Sequence, residues 1–355
     1  MNRATLADRF ADAQTPLKTF VIEAHHGGEV DRFLTAVADD AVVLSTDDAY
    51  LHRMVDGDVE FVIDHLDDRY WSFHTWSPAA DAQRLLKSRV QRRRDLDWAW
   101  LPAAHLSRLW AEGQPTWLRT EFQGEQSLPV DDPARRMQLR LRGSQPDHLL
   151  AMLRDTPYAP ALAYDQVGVL VEHPDFGVVN EAVNSMGKFV ATGSSFRLHE
   201  ELVRLTLDRY RRLVDAIEQR ALSWSGDEAT GLRLQGQVIV LSFSRDVPDL
   251  DRFLDAMFSS REPFRLWGVP RILGADLAAV EAVDLHVGQR LRLEIGTRWL
   301  RIFLGPGTCG NTVARLVTNL QHRFDAGITF DDPELQRHLV PTSLTLEAPR
   351  ATTTA

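Results

Sequence analysis

The chain of 355 residues is 44% hydrophobic and 25% charged, the composition of a globular protein long enough for two or three domains. Its formal net charge of −10 speaks against general coating of nucleic acid, which needs many cations facing phosphates. The single cysteine, Cys309, excludes an intrachain disulfide framework and any zinc site built on several cysteines.

No apolar run approaches the roughly 18–20 residues that span a bilayer, and the first residues lack a signal peptide's apolar core, so a cytoplasmic protein without membrane contacts is expected. The cations are nearly all arginine, with Lys18, Lys87 and Lys188 the only lysines, a skew expected of a GC-rich bacterial genome. After an N-terminal segment, 1–16, residues 19–24 read as a strand and His25-His26-Gly27-Gly28 as a turn. Val30, Phe33, Leu34 and Val37 then fall at i, i+3, i+4 and i+7, the apolar face of a helix. Strands follow near 41–44, 50–55, 59–65 and 70–76, and a second helix starts at Ser77-Pro78 with Ala82, Leu85, Leu86 and Val90 as its buried side.

The words Asp31-Arg32-Phe33-Leu34 return almost unchanged as Asp251-Arg252-Phe253-Leu254, and more faintly as Asp147-His148-Leu149-Leu150. A strand over 137–141, a short helix, strands within 163–192 and a long helix over 196–220 repeat the order of the first unit. A third pass runs from a strand at 237–243 to a last helix carrying Val313, Leu316, Val317, Leu320 and Phe324. Asp31 to Asp64, Asp147 to Asn180 and Asp251 to Asp284 are each 33 residues apart. The expectation is an α+β protein of three tandem two-layer units, each a strand, a helix, three to four antiparallel strands and a helix, at 17–125, 126–230 and 231–330, with a tail at 331–355. This order resembles that of helix-grip domains, an analogy of topology that carries no motif and no function.

The sharpest local feature is Gly305-Pro306-Gly307-Thr308-Cys309-Gly310-Asn311-Thr312, which matches the phosphate-binding loop G-x-x-x-x-G-K-[ST] except that Asn311 stands where the lysine belongs. Glycines let backbone N–H groups converge and a helix N-terminus favours an anion, so Gly305, Gly307, Thr308, Gly310, Asn311 and Thr312 are the candidate ligand residues. Acid–histidine neighbours Asp64-His65, Glu172-His173 and the pair Asp284, His286 read as polar residues on solvated sheet faces, and His25-His26 as turn residues. No nucleophile elbow and no H-E-x-x-H occurs. Arg84, Lys87, Arg89, Arg92, Arg93 and Arg94 gather on or just beyond the first unit's second helix, a candidate contact for a partner or for phosphate.

These features predict a non-enzymatic interaction or regulatory protein, a repeated platform that binds a protein partner or small ligand in a bacterial regulatory or defence setting, with no cofactor and no metal. One alternative is a nucleotide- or phosphate-responsive protein using the loop from Gly305 to Thr312 on a small anionic ligand. The other is nucleic-acid binding through the arginine-bearing helices.

Overall fold

The computed structural model describes residues 1–143, 145–227, 231–260 and 262–340. Ser144 of the expected Gly143-Ser144 turn and the tail from Ala348 lie outside the described residues. In chain order the elements are α1 (Arg3–Asp12), β1 (Leu17–Ala24), α2 (Val30–Ala38), β2 (Val42–Ser45), β3 (Leu51–Asp56), β4 (Val59–Asp64), β5 (Tyr70–Thr75), α3 (Ala79–Arg92), β6 (Leu96–Trp98), α4 (Ala103–Ser107), β7 (Gln114–Gln123), β8 (Arg136–Arg142), α5 (Pro146–Ala151), β9 (Tyr164–His173), β10 (Gly177–Asn184), β11 (Lys188–Gly193) and α6 (Phe196–Glu218). A hairpin of β12 (Ser223–Asp227) and β13 (Gly231–Gln235) leads to β14 (Ile239–Ser242), α7 (Leu250–Phe258), β15 (Leu266–Gly274), β16 (Leu277–Asp284), β17 (Arg290–Gly296), β18 (Trp299–Leu304), α8 (Asn311–Arg323), β19 (Thr329–Phe330) and α9 (Pro333–Leu339).

Two antiparallel sheets carry the fold. The larger has eleven strands in the order β2-β3-β4-β5-β1-β11-β10-β9-β7-β8, with β6 paired to the end of β1; the smaller runs β15-β16-β17-β18-β14-β19. In residues 17–92 and again in 239–323, a strand, a helix, a four-strand meander and a helix follow one another, and the first strand adds beside the last. The middle segment departs from this order. Its strand β8 pairs with β7 at the far edge of the large sheet, and the place beside β11 is taken by β1. Packing explains the departure: Phe33 and Phe253 are buried core residues of α2 and α7, whereas Leu149 on the six-residue α5 is half exposed. The three positions 33 residues on also diverge, since Asn180 is exposed, Asp64 half-buried and Asp284 fully buried. The first and last segments thus share one order of elements, and the middle segment does not.

The chain buries its helices on both faces of the large sheet. Phe20, Ile22 and Ala24 of β1 pack with Phe33, Leu34 and Val37 of α2 and with Leu86 and Val90 of α3. The opposite face of β1 meets the 23-residue α6, whose N-terminus is capped by Ser195 accepting from the Leu198 amide. Sandwiched in this way, β1 is buried along all eight residues. Such a strand ordinarily reads as a continuous apolar run, because polar groups removed from water must find partners. Lys18, Thr19 and Glu23 break the rule, and two of them, Thr19 and Glu23, lie on the face towards α6 because alternate residues share a face. Among the described residues, no helix is long and apolar enough to cross a membrane.

Candidate metal centre

Glu23 is the penultimate residue of β1 and is fully buried. Its Oε1 accepts from Arg69 Nε at 2.6 Å, while the Nε2 atoms of His286 and His25 face its Oε2 at 3.1 and 3.6 Å. Cys309 places its sulfur 3.5 Å from both carboxylate oxygens and 3.8 Å from His25 Nε2. One donor atom from each of Glu23, His25, His286 and Cys309 lies within 4.8 Å of all the others. His25 and Cys309 reach a cleft of about 620 Å³, also lined by Arg69, Asp68, Glu218, Gln289 and Gly307, while Glu23 and His286 lie buried behind it.

Each side chain is held by its local fold. His286 sits in the β16–β17 turn, whose amides at His286 and Val287 donate to the Asp284 carboxylate at 3.2 and 3.4 Å. Asp284 also accepts from Thr312 Oγ1 at 2.7 Å and from Arg315, both on α8, so the turn is locked to the helix beneath it. Cys309 is fixed by its own amide, which donates to Gln289 Oε1 at 2.7 Å. His25 follows β1 directly and is the most accessible member, its side chain 34% exposed. Arg69 bridges inward to Glu23 and outward to both oxygens of Glu218 at 2.6 and 3.3 Å.

The electrostatics favour a cation. Burial by itself would raise the Glu23 carboxyl, but hydrogen bonds from His25 and His286 and the Arg69 charge outweigh it and hold the group well below its usual range. Burial and the adjacent Glu23 charge push the Cys309 thiol well above its ordinary value, so in the ion-free protein it is a thiol donating towards the carboxylate and not a free nucleophile. A divalent ion would displace that proton. Glu23, Glu218, the Cys309 thiolate, Arg69 and the ion then sum to zero formal charge.

The spacing also fits. Zinc-type bonds of about 2.0–2.3 Å to N, O and S set tetrahedral ligand atoms roughly 3.3–3.8 Å apart. Separations of 3.5, 3.6 and 3.8 Å fall at that spacing, the His286–Glu23 pair is closer at 3.1 Å, and all pairs lie within 4.8 Å, so an ion would draw the donors into its own geometry.

The sequence-predicted loop borders this centre, though not as a phosphate cradle. Gly307 and Thr308 line the cleft, but the amides that would hold an anion are engaged: Thr308 with Gly305 O, Cys309 with Gln289 and Gly310 with Glu218 Oε1 at 2.8 Å. Asn311 and Thr312 are buried, Asn311 bonded to Tyr210 and to Trp98 O, Thr312 to Asp284. The expectation that Asp284 and His286 lie on a solvated face is overturned, because the seam between the two sheets covers both. His25 leaves the turn for the cluster, while His26 keeps a turn role, its Nδ1 accepting from the Gly28 amide at 3.1 Å.

The cations of α3 do not form one free patch. Arg89 is buried between Asp39 and Asp56, Arg93 is paired with Asp95 and Ala36 O, and Arg84 leans on Asp81. Arg84, Lys87 and Arg92 share a shallow surface, and Arg94 lies just past the helix. Glu23, Arg69 and Cys309 were not legible as site residues from motif spacing. Their one sequence signal is a carboxylate inside a strand that otherwise reads apolar.

A family model described as MJECL33-like protein matches residues 6–338. The chain is also similar to the uncharacterized protein MJECL33 of Methanocaldococcus jannaschii, with 29% identity over 174 residues, 49% of this chain and 42% of that protein. The aligned part thus spans less than half of that relative's length.

Proposed function

We propose that this chain, which belongs to the MJECL33-like protein family, is a non-enzymatic regulatory protein that binds one zinc-class divalent ion at the seam between its two sheets. The observation that carries the reading is the convergence, within 4.8 Å, of four ligand side chains from β1 and the residue that follows it, the β16–β17 turn and the β18–α8 loop. Carboxylate, imidazole and thiolate together suit zinc and its neighbours better than magnesium or calcium, which prefer oxygen alone.

Four protein donors would fill the four positions of a tetrahedral ion, the arrangement of structural and regulatory sites, whereas a catalytic zinc keeps a position for water. The ion would tie the large sheet, through Glu23 and His25, to two loops of the small sheet, through His286 and Cys309. Gain or loss of the ion then changes how firmly the two sheets are joined, and the open side at His25 gives it a path in.

Titration of the metal-free protein with cobalt(II) tests this. The expected result is one equivalent bound with the intense visible bands of a tetrahedral ion and a thiolate charge-transfer band, which Cys309→Ser removes and zinc displaces. Zinc at a hundredfold excess over its Kd would stabilise the fold by about 2.7 kcal/mol. Absence of uptake, or a weak octahedral spectrum indifferent to Cys309→Ser, overturns the reading.

A further inference from the structure

The second polar residue on the α6-facing side of β1 starts a separate construction. Thr19 Oγ1 lies 2.8 Å from His74 Nδ1 on the neighbouring β5 and 2.8 Å from His199 Nε2 on α6. His199 Nδ1 in turn lies 2.8 Å from Glu181 Oε2 on β10. The four side chains form a continuous wire through the core, walled by the rings of Phe10, Phe189 and Phe196. Thr19, Glu181 and His199 are buried to 1% exposure or less, and Glu181 Oε1 has no hydrogen-bond partner among the described residues. Such a network is expensive to bury, and a core of this size does not need it for packing.

One end of the wire opens. His74 lines a second cleft, of about 570 Å³, between β5 and α6. Tyr70, Ser72 and His74 alternate along its β5 wall, and Val203 and Leu207 give the α6 wall an apolar strip. Five carboxylates and three guanidiniums line it, and Arg211 beside it pairs with Asp67, which leaves an excess of one negative charge, with the carboxylates held in ion pairs to Arg3, Arg204 and Arg211.

We propose that this second cleft binds a small organic ammonium ligand, with Nε2 of His74 as its buried anchor and the wire from Glu181 setting that atom as a hydrogen-bond acceptor. The polarity follows from one end. A carboxylate at Glu181 accepts from His199 Nδ1–H; His199 Nε2 then accepts from the Thr19 hydroxyl; Thr19 oxygen accepts from His74 Nδ1–H; and His74 Nε2 is left with a lone pair. The titratable and charged groups acting on His74 are His199 from α6, Asp64 from β4 and Arg3 from α1. Burial first, then His199 and Arg3, against the opposing pull of Asp64, lower its imidazole to about 3, so it presents a neutral ring. An ammonium donates to such a ring and is drawn by the net negative charge of the lining, while the apolar strip takes its carbon chain. Burial raises the Glu181 carboxyl and the adjacent His199 opposes it.

The test is nitrogen-15 NMR of histidine rings in the full-length protein, with n-butylammonium as the probe and n-butyrate as the control. The expected result is His74 in the Nδ1–H form at neutral pH, with butylammonium, and not butyrate, shifting its Nε2 resonance. Thr19→Val, which keeps the side-chain shape and leaves the cleft lining intact, is expected to scramble the His74 tautomer and weaken butylammonium about tenfold. His74→Gln is expected to weaken it at least as much. A wild-type His74 in the Nε2–H form, a preference for butyrate, or butylammonium binding that leaves the His74 ring unshifted overturns the proposal. The wild-type measurement decides alone should either variant fail to fold.

Discussion

Arg315 on α8 donates to Asp97 on β6, so a helix of the small-sheet half reaches a strand of the large sheet through a fully buried ion pair. The same guanidinium donates to Asp284, and its Nε to Phe264 O at 2.9 Å; Asp97 is further held by Trp100 Nε1 at 3.0 Å. Two carboxylates share this cation. Removing it leaves Asp284 without its guanidinium and Asp97 with only the longer 3.5 Å contact to Arg265, and burying a poorly compensated charge costs more than the pair contributes. Arg315→Met is therefore expected to lower stability by about 3–5 kcal/mol in urea denaturation. Adding Asp97→Asn and Asp284→Asn to Arg315→Met should recover part of that loss, because neutral amides remove the stranded charges. Additive losses in the triple variant would show that the three residues do not act as a unit.

His105 predicts the response to acid. It is fully buried on α4, its Nε2 2.8 Å from the carbonyl of His338 on α9, and burial foremost lowers its imidazole to about 4. An unfolded histidine takes up a proton near 6.5, so between about 6.5 and 4 the unfolded chain binds the proton and the folded chain does not. The stabilisation is complete above 6.5 and is lost as pH falls towards 4. At pH 5 the loss is about 2 kcal/mol from this residue. Denaturation midpoints at pH 7 and pH 5 should differ less in His105→Gln than in the wild type; an unchanged difference refutes the assignment.

The α3 cations that looked alike in sequence should part company on mutation. Arg89 is buried and spans Asp39 and Asp56, whereas Arg84 is exposed and pairs with Asp81 on its own helix. Arg89→Ala leaves two carboxylates without their shared cation and should cost about 1–3 kcal/mol, while Arg84→Ala should stay within about 0.5 kcal/mol. Thermal unfolding of the two variants side by side distinguishes them.

What could be read in advance was what repeats locally. Phe33, Leu34 and Val37 sit on a helical period, and the structure buries each of them, as it buries Phe253, Leu254 and Met257. The middle segment was harder because its strand order depends on β1, more than a hundred residues upstream, inserting beside β11, and no local pattern encodes that pairing. The candidate centre is more distant still: Glu23 and His286 meet across 263 residues. Their meeting is set by the packing of two sheets, which a periodicity does not specify. A legible trace did exist. Thr19 and Glu23 stand in a run that reads as a buried strand, and a buried polar group must have a partner somewhere. The local cue at Gly305 to Thr312 drew attention to the correct loop with the wrong chemistry, since glycines admit close approach of any neighbour.

The glycines of that loop separate the two chemistries. Gly310 has ordinary helical backbone angles, but a Cβ there would lie 2.4 Å from the carbonyl oxygen of Val214 on α6, so the residue is small to let α8 meet α6. Gly307 has φ +73°, where a side chain is strained, and Gly305 meets nothing within 4 Å. Packing alone therefore ranks the alanine variants: Gly310→Ala should cost about 1–3 kcal/mol by overpacking, Gly307→Ala about 1 kcal/mol, and Gly305→Ala within about 0.5 kcal/mol. A phosphate-cradling loop predicts another order, because each glycine would let its backbone approach the anion and each alanine would weaken inorganic phosphate or nucleotide binding irrespective of stability. Urea midpoints and phosphate titrations on the three variants decide between them. The outcome expected from the engaged amides of Thr308, Cys309 and Gly310 is a stability ranking with no phosphate response, and cobalt binding retained in Gly305→Ala.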